Sequence, residues 1–184
     1  MNKTVYLKRG KDASLKRFHP WVFSGAVGKM DKDIEEGDLV RVVDADGQFI
    51  AVGHYQIGSI AVRILAFGTD TLPDDFFEQR IRAAYQMRQG INLIREDNNT
   101  YRLVHGEGDN LPGLVIDCYG KTAVVQAHSV GMHECRMAVA KQLMEVMGER
   151  IENVYYKSET TLPYKAELGQ ENGFLFGGTD ENVA

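Results

Sequence analysis

The sequence has few of the residues that cross-link or stiffen a protein fold. Its 184 residues include two cysteines, four prolines and one tryptophan. Cys118 and Cys135 are too few for a disulfide framework, so we predict reduced thiols in a cytoplasmic protein. No apolar run has membrane-spanning length, and no apolar segment follows the early basic residues as it would in a signal peptide. These absences exclude the disulfide-rich, secreted and membrane-spanning classes.

An overall excess of positive charge is also missing. The chain carries 21 Lys and Arg residues against 26 Asp and Glu residues, for a net charge of −5. The distribution is uneven, because residues 1–30 contain seven basic residues and one acidic residue, whereas residues 31–75 contain three and ten. Proteins that bind polyanions without specificity are usually basic overall. Only the N-terminal segment is therefore suited to phosphate groups.

The same N-terminal segment is rich in aromatic residues. Cations bind RNA phosphates and aromatic rings stack on bases, so this composition indicates RNA contact. The alternative is a solvated surface that binds nothing. For Trp21 and Phe23 we expect a place in the core, with base stacking by Trp21 as the alternative. Six side chains are the candidate RNA-binding residues: Lys8, Arg9, Lys11, Lys16, Arg17 and His19.

Short strand patterns dominate the first part of the chain. Alternating residues 3–8 are followed by apolar runs over 39–43, 49–55 and 59–67, with Asp44-Ala45-Asp46-Gly47 as a hairpin turn. Several short strands with little helix between them are typical of a small β-barrel, which we predict over residues 1–72.

A helix and a mixed segment follow. Asp75 and Glu78 form a potential capping box for a helix over 75–95, and we predict residues 73–98 as a connecting helix and linker. Residues 99–184 are predicted as a small α+β domain. Within this domain we expect an amphipathic helix over 132–147, a strand over 154–156 and a weak hairpin over 164–176.

The stretch from Tyr101 to Gly120 contains the densest turn signals. Two apolar strands flank the segment GEGDNLPG, whose composition indicates a rigid turn. A cofactor loop is disfavoured, because Gly106-x-Gly108 lacks a third glycine and leads into a strand. His105, Glu107 and Asp109 could form an acid–base cluster, but no nucleophile accompanies them, which favours a hydrogen-bonded turn.

Other catalytic or metal-binding constellations are weak. A zinc site made of Cys118, His128, His133 and Cys135 would lack the paired spacing of known sites. Both thiols fall in apolar segments, where a thiolate is disfavoured. We predict no catalytic residue and no metal ligand.

Two separated stretches resemble one family. Residues 8–27, KRGKDASLKRFHPWVFSGAV, resemble the start of the PUA domain of bacterial 23S rRNA cytosine-C5 methyltransferases. Residues 101–120 resemble the signature of the central domain of the same family, in the same order. Residues 155–159 and 170–178 also fall where that family has less regular segments. The resemblance implies an α+β chain, with a PUA-like β-barrel followed by the small α+β domain.

The resemblance also implies a function. Family members continue into a domain that binds S-adenosylmethionine and carries the catalytic cysteine, which we expect this chain to lack. The chain is then the RNA-recognition portion of an rRNA methyltransferase, inactive alone and without a cofactor of its own. Its expected partner is rRNA and not a membrane. The oligomeric state is left open, with a homodimer as one possibility. The alternative is a free-standing RNA-binding or assembly module without enzymatic activity.

Overall fold

A computed structural model describes residues 3–162, 168 and 172–178. The chain divides into two compact units, residues 1–74 and residues 75–184, hereafter the first unit and the second unit. Part of the hairpin predicted over 164–176, and most of the chain after it, lie outside the described residues.

The first unit is a curled six-stranded sheet. Its strands are β1 (Thr4–Leu7), β2 (Trp21–Phe23), β3 (Val27–Met30), β4 (Leu39–Val43), β5 (Phe49–Tyr55) and β6 (Ile60–Phe67). They lie in the order β2-β6-β5-β4-β1-β3, and all neighbours are antiparallel except β1 and β4. The three strands predicted between residues 38 and 67 are confirmed.

Residues of these strands, together with Leu15 from the connection between β1 and β2, fill one core. Its buried members are Val5, Leu7, Leu15, Val22, Val40, Val42, Ala51, Val62 and Ile64. Strands β5 and β6 approach closely at Gly53, where an added Cβ would lie 2.2 Å from the carbonyl oxygen of Arg63. Only glycine fits this crossing, which holds the β5–β6 register.

The second unit combines a five-stranded sheet with helices. In chain order its elements are α1 (Phe76–Gly90), β7 (Thr100–His105), β8 (Leu114–Tyr119), β9 (Thr122–Ala127), α2 (Val130–Glu134), α3 (Arg136–Met147), β10 (Asn153–Tyr156) and β11 (Gly173–Phe176). The sheet order is β11-β10-β9-β8-β7, and within this described sheet only β9 and β10 are parallel neighbours. The α+β class is confirmed, although the helix predicted over 132–147 is divided at Cys135.

Helix α1 differs from its prediction in length, capping and role. It ends at Gly90 instead of residue 95. The Asp75 side chain accepts a hydrogen bond from Gln79 Nε2 (2.9 Å) instead of capping the backbone. The backbone N–H of Glu78 donates to Gln142 Oε1 of α3 (2.7 Å), so α3 provides the missing acceptor. Because α1 packs against α3, it is part of the second unit and not a separate connecting segment.

A buried ion pair holds the loop between β7 and β8. Arg88 Nη1 and Nη2 donate to the two carboxylate oxygens of Asp109 at 2.5 and 2.7 Å, and both side chains are almost fully buried. The Asp109 carboxylate also accepts the backbone N–H of His105 (2.6 Å), and Arg88 Nε donates to the carbonyl of Arg102 (3.2 Å). The loop is therefore a hydrogen-bonded turn, in the form of a 3-10 helix over Gly106–Asp109.

We predict that Asp109→Asn destabilises the second unit by about 3–5 kcal/mol, because it leaves the buried Arg88 charge unpaired. The measurement is the urea unfolding free energy, followed by far-UV circular dichroism. The matched control is Asp117→Asn, which breaks the more exposed pair with Arg102 (2.8 Å) and should cost at most about 1 kcal/mol. Equal losses in the two variants would show that the Arg88–Asp109 pair has no special role.

His54 generates a second prediction, on pH. This β5 residue is 6% exposed, and burial lowers its pKa from 6.5 to about 4. Between these two values the unfolded chain binds the proton and the folded chain does not, so the stability of the first unit should be complete above pH 6.5 and fall as the pH drops toward 4. The loss should reach about 2 kcal/mol by about pH 5.

Trp21 fluorescence reports unfolding of this unit, since it is the sole tryptophan. Urea titrations at about pH 7.5 and about pH 5 measure the difference, and the His54→Gln variant should lack most of it. If the variant and the wild type lose the same free energy, another group titrates in this range and the assignment to His54 fails.

Candidate nucleic-acid interface

The basic segment crosses from β1 to β2 and is anchored by one apolar side chain. Leu15 inserts into the core of the first unit, with 2% of its surface exposed. It begins a one-turn 3-10 helix, Leu15–Arg17, whose other two side chains, Lys16 and Arg17, are exposed. Burial of Leu15 therefore directs both cations toward solvent.

Phe18 ends this turn in an unusual conformation. Its φ of 61° lies in the left-handed region, which a bulky side chain enters at a cost of about 1–3 kcal/mol. Two backbone hydrogen bonds hold it, from Phe18 N–H to the Leu15 carbonyl (2.8 Å) and from His19 N–H to the Ser14 carbonyl (3.1 Å). The Phe18 ring is 73% exposed and touches Phe67 edge-on, at 5.3 Å between centroids. Strained residues of this kind concentrate at functional sites.

The placement of Trp21 and Phe23 in the core was wrong. Val22 takes the core position of β2, with 2% exposure, so its neighbours on either side face the opposite way. Trp21 is half-buried and Phe23 is 47% exposed. Side chains alternate across a strand, and in a three-residue strand with a buried centre both flanking residues must leave the core.

Four aromatic side chains of residues 18–23 are at least partly exposed, and we call them the aromatic patch: Phe18, His19, Trp21 and Phe23. The rings of the last three contact one another, whereas the described ring contact of Phe18 is with Phe67. The His19 ring lies 5.7 Å from that of Trp21 and 6.0 Å from that of Phe23, and Trp21 and Phe23 are also 6.0 Å apart. The backbone N–H of Trp21 donates to His19 Nδ1 (3.1 Å). This hydrogen bond orients the imidazole ring, in which Nδ1 is the acceptor.

Four of the six candidate RNA-binding residues already bond to charged or backbone groups: His19 through Nδ1, as described above, and Arg9, Lys16 and Lys8. Arg9 pairs with Asp46 at 2.6 Å, and Lys16 pairs with Asp12. The hydrogen bond between the latter two raises the pKa of Lys16 and lowers that of Asp12. Lys8 Nζ donates to the carbonyl of Gly25 at 3.0 Å.

The remaining candidates are better placed for a ligand. Lys11 and Arg17 are exposed, and neither side chain has a hydrogen bond or ion pair with another described residue. Arg17 directly precedes the aromatic patch, and His19 is part of it. Of the six residues predicted from the sequence, only Lys11 and Arg17 have side chains without a described partner, and His19 is held within the aromatic patch.

Arg63 was missed by the sequence analysis. It lies directly opposite Trp21 across the β2–β6 pair and opposite His54 across the β5–β6 pair. Its Nη1 donates to Gln56 Oε1 at 3.2 Å. No local signal identifies this residue, because only the strand register brings it beside Trp21.

The cysteines and histidines considered above as catalytic or zinc-binding residues are buried or hydrogen-bonded within the fold. Burial raises the pKa of both Cys118 and Cys135 to about 11, so neither thiol is activated. His133 Nδ1 is hydrogen-bonded to the Tyr156 hydroxyl at 2.7 Å. The described residues contain no group of three potential metal ligands. No described helix is both long and apolar enough to cross a membrane.

The loop containing Gly106 and Gly108 does not have the arrangement of a cofactor site. Its 3-10 helix runs into strand β8, with Asn110 in the left-handed conformation between them. Cofactor loops of this type instead open an α-helix whose N-terminal N–H groups face the ligand.

Comparison with known protein families agrees with the division of the chain into two units. The family model of a PUA-like domain matches residues 5–67. A ribosomal RNA large subunit methyltransferase I of Erwinia tasmaniensis is 34% identical over 179 residues, and that of Vibrio parahaemolyticus is 33% identical over 178. Each alignment covers 96% of this chain and 44% of the relative.

A solved structure extends the similarity to the fold. A proposed SAM-dependent methyltransferase from Streptococcus mutans matches 97% of this chain and 44% of its own, with a TM-score of 0.77 and 15% identity. The chain thus spans less than half the length of the proteins it resembles. The match to the PUA-like domain falls within its first unit, and nearly its whole length is similar to part of the large-subunit rRNA methyltransferases I.

Proposed function

We propose that this chain is the RNA-recognition portion of an S-adenosylmethionine-dependent rRNA methyltransferase. Its first unit binds large-subunit rRNA through the aromatic patch together with Lys11 and Arg17. The homology to rRNA methyltransferases supports the ligand class, and the PUA-like domain contains the proposed binding surface.

One observation carries the proposal: three carbon-rich rings, those of Phe18, Trp21 and Phe23, remain partly or largely exposed although the chain has a core in which to bury them. Burying such a ring would stabilise the fold by about 1.5–3 kcal/mol. At Phe18 the backbone is strained as well. Exposed rings beside cations without a described partner are what an RNA strand requires.

Two finer statements complete the proposal. First, residues 8–27 and 101–120 resemble 23S rRNA cytosine-C5 methyltransferases, so we propose that the enzyme methylates C5 of a cytosine in 23S rRNA. The cofactor and the reacting cysteine would belong to a further part of the enzyme, which agrees with the raised pKa of Cys118 and Cys135 and with the 3-10 turn at Gly106. The described residues then bind and orient RNA without entering the chemical step.

The test is a double substitution, Lys11→Ala with Arg17→Ala, assayed for binding to a large-subunit rRNA fragment at several salt concentrations. Binding should weaken most at low salt. Loss of two phosphate contacts should reduce the slope of log K against log salt by about 1.4–1.8, at about 0.7–0.9 for each contact.

A charge-matched control is available in the second unit. Arg80 and Arg82 lie on α1, where Arg82 pairs with Glu78 and Arg80 lies over the Phe76 ring. Changing both to Ala removes the same charge and should leave the salt slope near that of the wild type. If this control weakens binding as much as the first pair does, the RNA surface is not the one proposed.

A further inference from the structure

The side chain of Phe18 leaves the buried side of the turn that leads to it. A 3-10 helix has about three residues per turn, so residues three apart lie on the same side. A continued helix would therefore place Phe18 beside Leu15, whose side chain is buried in the core. The left-handed backbone at Phe18, with a φ of 61°, ends the turn instead, and 73% of the residue is exposed. The strained conformation thus coincides with a large apolar ring in solvent.

The Phe18 ring has one support and at least one open face. It meets the Phe67 ring at an interplanar angle of 86°, with 5.3 Å between the centroids. Phe67 packs against the core of the first unit, which makes it a fixed support. In an edge-to-face pair at most one face of either ring is in contact, and the described residues supply no second ring contact to Phe18. The opposite face is therefore open to a flat ligand.

Arg17 places a cation beside this ring. Its side chain is exposed and makes no hydrogen bond or ion pair with a described residue. The Cα atoms of consecutive residues lie about 3.8 Å apart, so the cation and the ring are close enough to contact one nucleotide. A guanidinium donates in a planar fork that is suited to phosphate oxygens. The backbone N–H of Arg17 donates to the Ser14 carbonyl at 3.0 Å, which holds the cation in the turn.

From this geometry we infer that Phe18 stacks on one unpaired base of the RNA, with Arg17 on a phosphate of the same or the adjoining nucleotide. The inference rests on the proposed RNA-binding function and specifies the class of RNA. A base within an A-form duplex is already stacked between its neighbours, whereas loops, bulges and single strands present a free face. The two cations without a described partner, Lys11 and Arg17, suit a polyanion better than an apolar protein surface.

The experiment measures RNA binding in a set of Phe18 variants. Fluorescence anisotropy at constant salt compares a labelled single-stranded RNA with the same strand annealed to its complement, and the wild type should bind the single strand more tightly. Phe18→Asn removes the ring and suits the left-handed backbone. It should weaken single-strand binding about 5- to 150-fold, the loss of one base–aromatic stack, and change duplex binding little.

The stability of the same variant separates a binding role from a packing role. Asn adopts the left-handed conformation more readily than Phe, and little of the Phe18 ring is buried. Thermal unfolding followed by Trp21 fluorescence should therefore have a midpoint equal to that of the wild type or higher, by up to about 8 °C. A ring kept for packing alone would give a lower midpoint and unchanged binding, and this pair of results would overturn the inference.

Phe18→Tyr and Phe18→Leu identify the contact. The first keeps a flat ring and should bind the single strand nearly as the wild type does, whereas the second is apolar without a ring and should lose about as much as Phe18→Asn. Binding of wild-type strength by Phe18→Leu, or equal losses on the two RNAs, would overturn the inference. If Lys11→Ala with Arg17→Ala still weakens binding in that case, the proposed function stands without it. Failure of the wild type to bind either RNA would overturn both.

Discussion

The alternation of side chains in the edge strand β2 is the constraint on which the proposed RNA-binding surface depends. Val22 must occupy the core, so Trp21 and Phe23 cannot. Leu15 supplies the second anchor, and the residues between the two anchors have to turn sharply. Phe18 absorbs that turn in the left-handed conformation and projects its ring into solvent. Two buried aliphatic side chains thus position all four rings of the aromatic patch.

Ion pairs reduce the positive charge of this surface, whereas its shape is set by the buried side chains. The acidic turn between β4 and β5 provides Asp46 as partner for Arg9, and Asp12 is the partner of Lys16. Exposed pairs of this type contribute little to stability, but they reduce the local field that a polyanion meets. What remains is a small cationic region at Lys11 and Arg17 in a chain of net charge −5. This charge distribution argues against general attraction to phosphate as the basis of the proposed RNA binding.

Local sequence pattern was sufficient to predict most elements of the fold, whereas the RNA-binding role of the basic segment stays a prediction. Apolar runs between turn residues predicted β4, β5 and β6, and turn composition predicted the rigid loop at Gly106–Asp109. The features that failed depend on contacts distant in sequence. Gln142 replaces the expected capping box of α1, and Arg63 reaches Trp21 only through strand pairing. Trp21 itself was misplaced because size and apolarity were given more weight than the alternation around Val22.

The central claim is that RNA meets the first unit at the aromatic patch. Its most direct test is a ¹⁵N-resolved NMR titration of the chain with a single-stranded large-subunit rRNA fragment. The account predicts that the largest shift changes fall on the amides from Leu15 to Phe23 and on the Trp21 indole N–H. Changes that are largest in residues 75–184, or that spread evenly over both units, would contradict it.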